Sequence, residues 1–168
     1  LYDGMLMKDM DKAIDILKEK ILEDKKIRVI GDYDIDGVNA TYILLEGLER
    51  LGADVDSDIP DRISDGYGLN RHLVERAYEA GVDTLITCDN GIAAADEIAY
   101  GKEMGMTVIV TDHHEVPFDE QDGEKRYRIP PADAVMDPKQ PDCLYPFKGL
   151  CGAAVAYKLM EALWESMG

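Results

Sequence analysis

Short apolar runs alternate with amphipathic stretches along almost the whole chain, and this alternation restricts the fold more than any other feature. The runs "KIRVIG" (26–31), "ADVDSDIP" (53–60), "TLITC" (84–88), "TVIVT" (107–111) and "DAVMD" (133–137) have the length of strands. Residues 9–24, 37–52, 70–81, 92–105 and 149–167 carry apolar residues at helical spacing, and Gly52 closes the second of these helices. Strand, helix and strand in succession call for right-handed crossovers. The expected fold class is therefore α/β: a three-layer α/β/α domain whose parallel sheet of about five strands is covered by helices on both faces. "TLITC" and "TVIVT" are apolar at nearly every position, as strands buried on both faces are. Residues 115–132, rich in proline and charge, read as an irregular surface excursion before the last strand. A chain of 168 residues has the size of one domain, spanning 1–168. It opens at Leu1 without a Met, as the N-terminal part of a larger protein would when excised.

In an open parallel sheet, ligands bind beyond the carboxyl ends of the strands, where the loops open a crevice. The first strand runs into Asp32, Asp34 and Asp36, the third into Asp89-Asn90-Gly91, and the fourth into Asp112-His113-His114. Three strands thus deliver carboxylates and imidazoles to one sheet edge. Carboxylates so crowded repel one another unless a cation holds them.

"DYDIDG" also matches the first six positions of a calcium-binding EF-hand loop. That reading fails at the twelfth position, where a bidentate Glu is needed and Ile43 stands, and a strand rather than a helix precedes the loop. Carboxylates mixed with imidazole and lacking thiolate suit Mn2+, Mg2+ or a similar divalent ion. Several shared acids favour two ions about 3.5 to 4 Å apart, an arrangement that stabilises both the attacking and the leaving oxygen of a phosphoryl displacement. The expected reaction is metal-assisted hydrolysis of a phosphoester or phosphoanhydride. Neighbouring side chains point in different directions, so one of His113 and His114 can bind metal while the other faces a substrate phosphate. Asp112 can orient an imidazole through its second nitrogen, and Asn90 stands where it can brace Asp89.

Two further segments offer cations for a phosphate. "PDRISDGYGLN" (60–70) sets Arg62 among Gly66 and Gly68 in a loop entering a helix, and Lys148 precedes the small-residue start of the last helix. For Lys148 the bland alternative, close helix packing, is at least as good an explanation. His72 lies away from any strand end and reads as solvated.

The charge balance limits how nucleic acid could be held. With 18 Lys and Arg against 35 Asp and Glu, the net charge is -17, which excludes a self-sufficient basic DNA-binding surface. Cys88, Cys143 and Cys151 show no CxxC spacing, and no apolar run approaches a membrane span. The composition fits a cytoplasmic protein without a membrane partner.

In this order and spacing, "DYDIDG", "CDNGI", "TDHHEVP" and "MDPKQPDCLYPFKGLCGAAVAYKL" resemble the DHH phosphoesterase superfamily, in its RecJ-type single-strand-specific exonuclease branch. "DMDKAIDIL", "IPDRISDGYGLN" and "PPADAVMDP" extend the likeness over nearly all of residues 8–164. The resemblance implies a 5′-to-3′ exonuclease that hydrolyses single-stranded DNA with two manganese or magnesium ions, in recombination and repair. It implies Asp32, Asp34, Asp36, Asp89, His113 and His114 as metal-binding, and all of these but Asp32 as catalytic. Asp89 would be shared between the ions, and His114 would be a second ligand or a phosphate contact. It implies too that a further metal-binding Asp and a nucleic-acid-binding domain lie beyond this chain, so that the fragment alone holds an incomplete site and the DNA is gripped mainly elsewhere. Repair or replication proteins are possible partners. Asp137 departs from the Asn usual at its position. Phosphodiesterases of short oligonucleotides or cyclic dinucleotides, pyrophosphatases and non-catalytic scaffolds share the superfamily and are the alternatives, although "GYGLN" and "YPFKGLCG" favour the exonuclease.

Overall fold

In a computed structural model, residues 2–61 and 68–168 are described. Five parallel strands form one sheet in the order β2-β1-β3-β4-β7, with β1 Lys26–Ile30, β2 Asp54–Asp58, β3 Thr84–Cys88, β4 Thr107–Thr111 and β7 Ala134–Met136. The chain passes from β1 outward to β2, then returns to the other side of β1 for β3. The carboxyl ends of β1 and β3 therefore flank the point where connections diverge, the usual place for a ligand crevice.

Period-two alternation splits the strand side chains between two cores. Ile27, Val29, Ile86, Cys88, Ile109 and Met136 face α1 Met10–Leu22, α2 Ile35–Arg50 and α5 Gly152–Met167. On the opposite face, Ile30, Leu85, Val108, Val110 and Val135 meet α3 Arg71–Glu79 and α4 Ala95–Glu103. This is the expected three-layer arrangement. All of β3 and β7 is buried, along with four of the five residues of β4.

Three helix starts differ from the sequence expectation by two or three residues, each because of a specific partner. Helix α2 begins two residues early, since Asp34 caps it by accepting from Gly37 N at 2.7 Å. Helix α4 begins late, at Ala95: Gly91 takes φ +110 and Ile92 N donates to Asp112 Oδ2 at 3.0 Å, holding that loop out of the helix. Helix α5 begins at Gly152 rather than at residue 149, because Cys151 is extended and the first helical amides meet a side chain from α2.

The excursion between β4 and β7 is not irregular. It contains an antiparallel hairpin, β5 Phe118–Gln121 and β6 Glu124–Tyr127, with every residue of both strands exposed. Asp122 and Gly123 at its tip have φ 54 and 80, the left-handed pair that a two-residue hairpin turn needs and that Asp-Gly supplies.

Candidate metal centre

The first acidic motif lies across the start of α2. Asp32 is fully buried and its Oδ1 accepts from Tyr33 N at 2.9 Å. Asp34 is the α2 cap, and Asp36 sits in the first turn, where the positive end of the helix favours a carboxylate. Asp36 is held from a second helix as well: its Oδ2 accepts from Gly152 N at 2.7 Å and its Oδ1 from Ala153 N at 2.9 Å. Burial works to raise the Asp36 pKa, but the Ala153 and Gly152 amides and the neighbouring Asp89 outweigh it and keep the group below the ordinary carboxylate range.

Asp89 ends β3 in a left-handed turn, with φ 61. Its side chain is buried beside Asp34 and Asp36. Burial, and then these two acids, push its pKa up to about 8. Asp89 Oδ1 lies 2.7 Å from His113 Nε2, while Asp36 Oδ2 lies 3.4 Å from the same nitrogen. Burial, followed by the adjacent His114, lowers the His113 pKa. Asn90 anchors the turn: its Nδ2 donates to Cys88 O at 3.0 Å and Ile30 O at 3.1 Å, while its Oδ1 accepts from Leu69 N. This side chain joins the ends of β1 and β3.

Beyond β4, Asp112 is buried and receives His114 Nδ1 at 2.6 Å on Oδ1 and Ile92 N on Oδ2. That bond raises the His114 pKa to about 9, against the effect of burial. The two imidazoles turn to different partners yet lie side by side, with ring centroids 4.2 Å apart. Residues 68, 69, 90, 92, 97 and 114 line a cleft of about 350 Å³ next to them.

Donor atoms of Asp89, Asp112, His113 and His114 lie within 4.8 Å of one another. Asp89 Oδ2 is buried without a hydrogen-bond partner among the described residues, and Asp89 retains a proton at neutral pH that a cation would replace. Buried carboxylates and imidazoles with an unused oxygen fit a divalent cation.

The structure brings Asp34, Asp36, Asp89, Asp112, His113 and His114 to one edge. Lys148 is engaged otherwise: its Nζ donates to Cys143 O at 2.6 Å, within its own loop. Arg62, the other cation picked out for a phosphate, lies outside the described residues, as does Gly66. His72 is exposed. A fourth strand end, not counted among the site residues from sequence, also contributes. Asp137 follows β7, fully buried, with Oδ2 unpartnered among the described residues and its pKa pushed to about 7, chiefly by burial. Its Oδ1 accepts from Lys139 N, and Lys139 Nζ lies 3.7 Å from Glu115, next to His114. "MDPK" carried the signal for both residues, an acid and a base directly after a strand.

A model of the DHH family, N-terminal domain, matches residues 26–167. The single-stranded-DNA-specific exonuclease RecJ of Bacillus subtilis (strain 168) is 46% identical over 162 residues, which cover 96% of this chain and 20% of that protein. A crystal structure of exonuclease RecJ bound to manganese matches with a TM-score of 0.82 and 38% identity, over 96% of this chain and 39% of that one. RecJ from Thermus thermophilus in complex with Mn2+ gives 0.75 and 36%, over 96% of this chain and 22% of that one. The chain spans about a fifth of the length of its Bacillus subtilis relative.

Proposed function

Because this chain belongs to the DHH family, N-terminal domain, we propose that it is the catalytic domain of a metal-dependent exonuclease that hydrolyses single-stranded DNA from 5′ to 3′. The observation that carries the reading is the convergence of Asp34, Asp36, Asp89 and His113 from three strand ends, with Asp89 Oδ2 buried and without a hydrogen-bond partner among the described residues. Close identity to RecJ exonucleases, and the manganese bound in two matching structures, support the substrate class and the ion.

Asp34, Asp36, Asp89 and His113 would hold manganese or magnesium; Asp32, from the same motif, is fully buried. Bound divalent ions supply Lewis acidity next to the scissile phosphate. The chain's own residues do the rest. Asp89 gives up the proton that its neighbours force on it in the metal-free state. Asp36, already anionic, is fixed in direction by the α5 amides. His114 keeps its charge through Asp112, which holds Nδ1 and leaves the Nε2 proton free to donate to a phosphate oxygen. Lys139 adds a second positive group near the same edge.

The domain would form the N-terminal part of a longer enzyme, with most of the DNA grip outside it, and the net charge of -17 supports that reading. Recombination and repair in the cytoplasm would be its setting, and three cysteines without disulfides are compatible with that. In the whole protein, Asp89→Ala is expected to reduce manganese-dependent release of nucleotides from single-stranded DNA by on the order of 1,000-fold or more. Retained activity would overturn the metal assignment. A substrate-length series tests the branch, since preference for dinucleotides over long strands would favour the oligonucleotide phosphodiesterases instead.

A further inference from the structure

The start of α5 touches the acids more closely than a side chain would allow. A Cβ built on Gly152 would lie 2.7 Å from Asp89 Oδ1, 2.8 Å from Asp89 Cβ and 3.0 Å from Asp36 Oδ2. Two of these are closer than real Cβ atoms come to any neighbour, and the Asp89 Cβ cannot swing away as the end of a long side chain can. Asp89 is fixed besides by its left-handed turn and by the adjacent Asn90. Only a residue without a side chain lets the first turn of α5 come near enough for Gly152 N and Ala153 N to reach both oxygens of Asp36.

We propose that Gly152 is a positioning residue of the metal centre: its bareness allows the α5 amides to orient the Asp36 carboxylate while leaving room for Asp89. The inference rests on the metal-centre reading above and deepens it. Each Asp36 oxygen accepts one amide and keeps a second lone pair for a cation. Helix α5, more than a hundred residues away in sequence, thereby sets the direction of an acid from the first motif.

A crowded glycine elsewhere between the same two helices supplies the control. A Cβ on Gly47 of α2 would meet Met160 of α5 at 2.6 Å from Sδ and 2.9 Å from Cγ, a flexible side chain outside the acid cluster. In the whole protein, Gly152→Ala is expected to weaken Mn2+ binding, read by titration calorimetry, at least tenfold. Gly47→Ala, which the flexible Met160 can accommodate, should change Mn2+ affinity less than twofold. Equal loss of affinity in the two variants would reduce Gly152 to a packing residue, and wild-type affinity in Gly152→Ala would overturn the proposal outright. Amide hydrogen exchange on the metal-free chain gives a second readout, independent of metal binding and of either glycine variant folding. Gly152 and Ala153 should be protected, and Asp36→Ala should remove that protection; free exchange in the unaltered chain would refute the proposal. Absence of Mn2+ binding by the unaltered protein would instead sink the metal-centre reading, with the amide result still deciding whether Asp36 is held.

Discussion

Asp89 and Asp36, neighbours in one buried cluster, are driven to opposite protonation states. Two amides hold Asp36 as an anion, while burial, and then Asp34 and the Asp36 anion, make Asp89 keep its proton up to about pH 8. The consequence for stability follows from proton counting. In the metal-free fold Asp89 binds a proton that the unfolded chain has released above about pH 4, so stability falls as pH rises from about 4 to 8. Asp137, pushed to about 7, acts in the same direction. His114 also loses its stabilising charge, between about 6.5 and 9. His113, held below its ordinary value, opposes this only below about 6.5. Urea denaturation in chelator between pH 6.5 and 8 is therefore expected to show declining stability. Asp89→Asn should flatten that decline and raise stability at pH 8 by on the order of 2 kcal/mol, roughly 5 °C in Tm. A variant with the unaltered slope would mean that Asp89 does not hold the proton.

Strands and helices differ in how far they depend on remote partners. β3 and β4 coincide with the apolar runs, because continuous burial on both faces admits little else. The starts of α4 and α5 shift because Asp112 and Asp36 take the amides that come just before or at the first helical residues, and neither acid is a sequence neighbour. The β5–β6 hairpin had a legible signal in Asp122-Gly123, but its strands lack the apolar alternation of a half-buried pair. They remain exposed, joined by the tilted Phe118–Tyr127 pair at 5.8 Å and by Lys125 over the Phe118 ring. A two-stranded unit of this kind adds little stability of its own. Because Arg128 N already donates to Pro117 O at 2.8 Å, replacing 118–127 with a short Gly-Ser turn should change unfolding free energy by less than about 1 kcal/mol. A loss above about 2 kcal/mol would show that the hairpin packs on the domain.

Across the whole molecule, the cluster links β1, β3 and β4 to α2 and α5, so a bound ion would tie together elements from both halves of the chain. In the whole protein, Mn2+ at 100 times its Kd is expected to stabilise this domain by about 2.7 kcal/mol, roughly 5 to 10 °C in Tm. Calorimetry should show no such shift in Asp89→Asn, and an equal shift there would place the ion elsewhere. The alternation of runs and helices determined by itself the parallel sheet and the edge to which the acids go, since periodicity and strand direction are local properties of the chain. It equally determined the net charge of -17, which argues against a self-sufficient basic surface on this domain, because charge is a sum over residues. Which Asp keeps a proton, which nitrogen of each His meets an acid, and why residue 152 must be bare were decided only by the tertiary structure. Those properties depend on burial and on contacts between residues far apart in sequence, such as Asp36 and Gly152, which no local pattern encodes.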